Sequence, residues 1–168
     1  MIIDCHTHIN DGDIDMKTSE VSDASEMVGM RFVLGDFGSP AEQINTELEQ
    51  FVNKHRDKAI GFAYFDPTRD PLSQVKQIKD KDIFKGLVVY PAECGFNPTH
   101  TKAMQLYQKA SEYDLPVFFH NSNKLSQNAV LDFAQPYLLD EVARTFSDLK
   151  IIVGSMGYPF VDQTIALL

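Results

Sequence analysis

Residues 1–9 read Met-Ile-Ile-Asp-Cys-His-Thr-His-Ile, an apolar run that leads directly into alternating polar side chains. In a β-strand, alternate side chains point to the same side of the sheet, so His6 and His8 would share one face about 7 Å apart. Two imidazoles at the end of a buried strand can bind one metal ion, and Asp4, which has the same parity, could orient a ligand. The alternative is a pair of ordinary surface histidines, because short motifs also occur without function.

The overall composition is that of one globular domain spanning residues 1–168. Hydrophobic residues make up 43% and charged residues 23% of the chain, and this length is enough for one core. No apolar run is long enough to span a bilayer, and the N-terminus lacks a basic region followed by a hydrophobic stretch. A cytoplasmic location is therefore the default expectation.

Charge and cysteine content exclude several classes of protein. The net charge is −9, from 24 acidic and 15 basic residues. This balance argues against nucleic acid or an anionic membrane as a partner, because both favour clustered Lys and Arg. Cys5 and Cys94 are too few and too far apart to indicate a disulfide framework or a zinc knuckle. We expect Cys5 to pack as a small apolar side chain on the face opposite the histidines.

Strand and helix signals alternate along most of the chain. Apolar runs predict five further strands, at Arg31–Leu34, Ala59–Phe65, Phe84–Tyr90, Leu115–His120 and Lys150–Gly154. Apolar residues at helical spacing predict helices between them. One helix is expected to begin with Ser39 as its N-cap and Pro40 at its first position, and another at Asn97 or Thr99.

Residues 10–29 are polar and poorly periodic, and they predict a loop. Ser22 or Asp23 could cap a short helix within it. The loop follows the histidine pair directly, so it either covers a site or is simply a mobile connection. We expect the second.

The near-continuous apolar strands predict a fold of the α/β class. Strands that are buried on both faces belong to a parallel sheet with helices outside, and either a doubly wound sheet or a (β/α) barrel of the TIM type would fit. His6, His8 and His120 all fall at C-terminal ends of predicted strands, where barrel enzymes place their chemistry. The barrel is therefore favoured, with about six of its eight βα units present.

The three histidines from the first and fifth strands also form a candidate ligand set. Three protein ligands with one position left for water are the composition of a catalytic zinc site, whereas a structural site closes all four positions. For His120 alone, the alternative is a hydrogen-bonded histidine at a strand end.

At this point the chain resembles the amidohydrolase-related metal-dependent hydrolases of TIM-barrel fold. That group also contains the aminocarboxymuconate-semialdehyde and resorcylate-type decarboxylases. The resemblance covers nearly the whole chain outside residues 10–29. The matching stretches are Met1–Ile9, Gly35–Phe37, Gly61–Pro67, Gly86–Pro91, Gly95–Pro98, Leu115–His120 and Leu138–Leu168.

The resemblance implies roles for particular residues. His6 and His8 would be metal ligands from the first strand, and His120 the ligand from the fifth, with a divalent metal, most simply zinc and alternatively manganese. His120 and Ser155 occupy the positions where the family places catalytic groups. Ser155 is a departure, because the family usually has a histidine there, and a hydroxyl is a poor zinc ligand and a weak base.

Two further departures concern strand four and the end of the chain. Many relatives have a lysine where this chain has Val88. A closed barrel needs eight strands, and the family's eighth strand normally supplies an aspartate that contacts the metal. Glu93 and Asp36 are the candidate substitutes for this aspartate, although each is expected to be a solvated loop carboxylate. Six strands would leave sheet edges unpaired. The chain is then a truncated remnant relative to the family, completes its barrel with another copy, or covers its edges differently, and we expect a homo-oligomer.

The sequence leaves three functions open. The first is a metal-dependent hydrolase in which a metal-activated water attacks a small carbonyl, ester, lactone or amide substrate. The second uses the same metal site for non-oxidative decarboxylation. The third is a catalytically inactive relative, which Ser155, Val88 and the missing strands favour and the three histidines oppose.

Overall fold

The computed structural model describes residues 2–9, 28–121 and 126–167. Strands and helices alternate through these ranges. The strands are β1 (Ile2–Thr7), β2 (Val28–Leu34), β3 (Ala59–Tyr64), β4 (Phe84–Val89), β5 (Val117–Phe119) and β6 (Ile151–Val153). The α-helices are α1 (Ala41–Lys54), α2 (Ser73–Asp80), α3 (Pro91–Cys94), α4 (Thr101–Glu112), α5 (Leu139–Thr145) and α6 (Val161–Leu167). Short 3₁₀ helices span Leu131–Ala134, Pro136–Leu138 and Gly154–Gly157.

The strands form one parallel sheet in the order β1-β2-β3-β4-β5-β6. Each strand pairs with the next one along the chain, and the helices lie outside, so the sheet curls into a half-barrel. This is an incomplete TIM barrel, and the predicted fold class is confirmed. A doubly wound sheet is excluded, because its strand order would reverse about a central switch point.

Apolar side chains cover both faces of the sheet, as the continuous hydrophobic runs predict. The outer face packs against the helices, with Leu48 and Leu106 fully buried between sheet and helix. The inner face carries a separate cluster that includes Phe62, Val88 and Phe118. Packing on the inner face positions the carboxyl ends of the strands, where the histidines lie.

Two helix starts differ from the prediction. Pro40, not Ser39, is the N-cap of α1, because its extended backbone leaves its carbonyl free to accept from Gln43 and Ile44. His100 is the N-cap of α4 in place of Asn97 or Thr99, and its ring accepts from the backbone N–H of Lys102. No helix in the described ranges is long and apolar enough to cross a membrane.

The N-terminal region differs from the prediction in two further ways. Strand β2 begins at Val28, so the end of the predicted loop belongs to the sheet, while Ser22 and Asp23 lie outside the described residues. Cys5 is exposed and does not pack as expected, and Ile2 and Ile3 of the same strand are 49% and 46% exposed. Among the described elements, β1 pairs only with β2, so one edge of this strand is unpaired there.

Candidate metal centre

An irregularity in β1 sets the orientation of its histidines. The register with β2 shifts between Asp4 and Thr7, which pair with Arg31 and Val33. A bulge of this kind removes a backbone group from the ladder. The carboxylate of Asp4 accepts from the backbone N–H of His6 at 3.0 Å. Asp4 therefore orients His6 through the main chain.

The ends of β1 and β5 bring His6, His8 and His120 together. Nε2 of His6 lies 3.0 Å from Nε2 of His120. The ring centroid of His8 lies 5.5 Å from that of His6 and 5.3 Å from that of His120. One ligand atom from each residue falls within 4.8 Å of the other two. His8 and His120 are buried, and His6 is half-buried.

This arrangement fits a metal ion. Tetrahedral zinc with Zn–N bonds of about 2.0–2.1 Å places its ligand nitrogens about 3.3 Å apart. The spacing within the cluster, from 3.0 Å up to 4.8 Å, spans that value. Nδ1 of His8 is buried and has no hydrogen-bond partner within the described part of the chain. Three imidazoles leave a fourth position for water or substrate, as in catalytic sites.

His120 is held in its neutral form. Burial lowers the pKa of His120 to about 2, and electrostatic repulsion from His6 and His8 adds to this effect. The ring of Tyr90 packs against it with centroids 4.3 Å apart, and the Tyr90 hydroxyl donates to the carbonyl of Gly35 at 2.7 Å. A neutral imidazole is the form that binds a metal ion. Tyr90 was not singled out from the sequence, where its only signal is its place at the end of β4.

Glu93 lies next to His120 and is not solvated, contrary to the expectation for this residue. Its side chain is 2% exposed, and its Oε1 lies 4.0 Å from Nδ1 of His120. Burial raises the pKa of this carboxyl, and the nearby charge of Asp36 adds to the effect. The cluster of ligand atoms in the described residues contains neither Glu93 nor Asp36.

Ser155 also reaches the site. Its Oγ lies 3.5 Å from Nδ1 of His6, although the residue itself is exposed. Ser155 and Met156 have φ values of +48° and +52°, which non-glycine residues adopt rarely. Such backbone outliers concentrate at functional sites. Val88, by contrast, is fully buried in the inner cluster and offers the site no polar group.

The same histidines lie in the region that matches a known family. The amidohydrolase family model matches residues 3–168. The chain belongs to the amidohydrolase family. The search of curated proteins found no match to this sequence.

Solved structures share the fold of this chain at low sequence identity. A probable 2-pyrone-4,6-dicarboxylic acid hydrolase from Acinetobacter baumannii has a TM-score of 0.63 and 12% identity over 99% of this chain and 66% of its own. The 2,6-dihydroxybenzoate decarboxylase from Rhizobium has a TM-score of 0.59 and 15% identity over 93% of this chain and 66% of its own. The 5-carboxyvanillate decarboxylase from Novosphingobium aromaticivorans, complexed with manganese and 4-hydroxy-3-methoxy-5-nitrobenzoic acid, has a TM-score of 0.62 and 16% identity over 83% of this chain and 49% of its own. The chain therefore spans less than two-thirds of the length of these structures.

Proposed function

We propose that this amidohydrolase is a metal-dependent hydrolase acting on a small carbonyl, ester, lactone or amide substrate. The observation that carries the proposal is the convergence of His6, His8 and His120 at the carboxyl ends of β1 and β5, with their ligand atoms within 4.8 Å of one another. TIM-barrel enzymes place their active sites at this end of the sheet.

The residues around the site have separable roles in this proposal. His6, His8 and His120 hold the metal, for which zinc suits an all-nitrogen set and manganese is the alternative. When bound, the metal lowers the pKa of a coordinated water and polarises a carbonyl oxygen. The Ser155 hydroxyl, 3.5 Å from the His6 ring, can donate a hydrogen bond to a substrate oxygen. A hydroxyl is too weak a base to accept the proton that an imidazole would take there.

Non-oxidative decarboxylation is the second candidate. The observation that favours it is that two of the similar structures are decarboxylases of aromatic carboxylates, one of them complexed with manganese. The half-barrel fold and the three-histidine cluster suit either reaction, so the choice depends on the substrate pocket.

The test begins with metal content, because both reactions need it. We would purify the chain without chelators and measure bound metal by elemental analysis, beside a His6→Ala/His8→Ala variant. A His55→Ala/His100→Ala variant is the matched control, since it removes the same number of histidines from helix ends. We expect near-stoichiometric metal in the wild type and the control and none in the His6/His8 variant.

Activity then separates the two reactions. Hydrolysis of esters and lactones would be followed by proton release, hydrolysis of amides by the amine that is set free, and turnover of aromatic carboxylates by release of carbon dioxide. Metal-dependent release of protons or amine supports the hydrolase, and metal-dependent release of carbon dioxide supports the decarboxylase in its place. Absence of bound metal even after reconstitution would overturn both and would favour a catalytically inactive relative.

We also propose that the chain self-associates in the cytoplasm and that its substrate is a small molecule. Two observations support self-association. In the described sheet, the outer strands β1 and β6 each pair with a single neighbour, and Ile2 and Ile3 are about half exposed. Unpaired edges promote association. Sedimentation or gel filtration giving the mass of a monomer would contradict this proposal.

A further inference from the structure

The ring of His120 has two nitrogens in different surroundings. Nε2 faces the cluster, 3.0 Å from Nε2 of His6. Nδ1 faces Glu93, with 4.0 Å between Nδ1 and Oε1. Both side chains are more than nine-tenths buried, at 7% and 2% exposure. The two nitrogens therefore have separate partners, one within the metal cluster and one behind it.

Both groups contain polar atoms that lack a partner. Nδ1 of His120 and Oε2 of Glu93 are buried without a hydrogen bond to any described residue. A buried polar group left in this state costs roughly 1–3 kcal/mol. Within the described ranges, Glu93 supplies the only carboxylate within 4.0 Å of the His120 ring. The Tyr90 ring lies against the same imidazole at 4.3 Å and offers it a packing surface.

From this geometry we infer that Glu93 is a positioning residue that acts on the metal through His120. The inference rests on the proposed metal site. When Nε2 is the ligand atom, the proton of the neutral ring lies on Nδ1, where it needs an acceptor. A hydrogen bond from Nδ1 to Oε1 requires the two atoms to approach by about 1 Å, to roughly 3 Å. Such a bond fixes the tautomer and the orientation of the ring and strengthens the ligand.

The short helix α3 explains how Glu93 reaches this position. Pro91 begins the helix just after β4, and both Pro91 and Ala92 are buried. The N–H of Cys94 donates to the carbonyl of Tyr90, which closes the turn. Tyr90 and Glu93 therefore approach His120 from one rigid segment.

The experiment measures metal affinity in Glu93→Gln and Glu93→Ala, with Zn²⁺ in competition with a chelating indicator. Loss of the carboxylate is expected to weaken Zn²⁺ binding by about 10–100-fold, the usual effect of such partners. Gln keeps the size and an acceptor oxygen, so its affinity should fall between wild type and Ala. Glu141→Gln is the matched control, because it removes one exposed glutamate charge from α5 and should leave affinity unchanged.

A double-mutant cycle distinguishes positioning from a general effect of charge or folding. In a His120→Ala background, Glu93→Gln should change Zn²⁺ affinity less than twofold, because the residue through which it acts is gone. An equal loss in both backgrounds, or unchanged affinity for Glu93→Gln in the wild-type background, would overturn the inference. Failure of the wild-type chain to bind Zn²⁺ would overturn the proposed function as well, so the two failures are distinguishable. If Glu93→Ala does not fold, the Glu93→Gln variant still tests the inference.

Discussion

Replacing His6 and His8 with alanine should abolish the thermal stabilisation that Zn²⁺ gives the wild-type chain. His6 and His120 are 114 residues apart in sequence, and they meet only because β1 and β5 share a curled sheet. Closing a loop of that length in the unfolded chain costs about 4 kcal/mol, so the unfolded state should bind Zn²⁺ roughly a thousandfold more weakly. Zn²⁺ therefore acts almost entirely on the folded state.

The size of the expected stabilisation follows from the preferential binding of Zn²⁺ to the folded state. At a free Zn²⁺ concentration of 100 times the dissociation constant, the folded state gains about 2.7 kcal/mol. For a chain of this length each kcal/mol raises the melting temperature by about 2–4 °C, so the expected shift is about 5–11 °C. Differential scanning calorimetry with and without Zn²⁺ measures it directly. Hydrogen exchange should show the gain in β1, which among the described elements pairs only with β2.

The control for this experiment is the His55→Ala/His100→Ala variant. His55 follows the end of α1 and His100 caps α4, so their loss should lower the melting temperature without changing the Zn²⁺-dependent shift. The reasoning is refuted if the His6/His8 variant keeps the shift, or if the control loses it. A wild-type chain without any shift would refute it too.

Three further predictions concern other positions. Ser155→His should raise Zn²⁺ affinity about tenfold or more by adding a nitrogen ligand, as measured in competition with a chelator. An unchanged affinity would show that this position does not reach the metal. Gly86→Ala should lower the free energy of unfolding in urea by about 1–3 kcal/mol, because the new Cβ would lie 2.6 Å from Cδ1 of Phe62. Adding Phe62→Leu should recover part of this loss, and strictly additive effects of the two substitutions would contradict the prediction. Burial raises the pKa of Cys94 to about 11, so a thiol reagent at pH 8 should modify exposed Cys5 first. Cys5→Ser should remove the fast phase of thiol modification, and a fast phase that persists in this variant would contradict the prediction.

Residues whose surroundings are set by nearby sequence were predicted well. The runs at 59–65 and 84–90 become β3 and β4 with ends displaced by one residue, because continuous apolar stretches of that length must be buried on both faces. The helix predicted with Pro40 at its first position begins one residue later, at Ala41, and runs to Lys54. Helix caps were predicted less well, because His100 acts as a cap through a ring nitrogen and Pro40 through its carbonyl alone.

The candidate site divides in the same way. His6, His8 and His120 stand out in the sequence because each follows an apolar run, and the order of parallel strands places their ends at one edge. The burial of Glu93 could not be predicted, because it depends on how a single helical turn after β4 packs against distant parts of the chain. The contact of Ser155 with His6 depends on two consecutive positive φ values that no local pattern in this stretch encodes.

The sequence by itself determined the α/β class, the parallel strands and the three candidate histidines, because hydrophobic periodicity and strand ends are local properties of the chain. The choice of a half-barrel over a doubly wound sheet needed the strand order, which only the tertiary structure shows. Only the tertiary structure decided which nitrogen of His120 faces the cluster and which faces Glu93. It also decided that Cys5 is exposed, on a strand that pairs with only one described neighbour. These features depend on contacts between residues far apart in sequence, where side-chain orientation and burial follow from how the strands and helices pack.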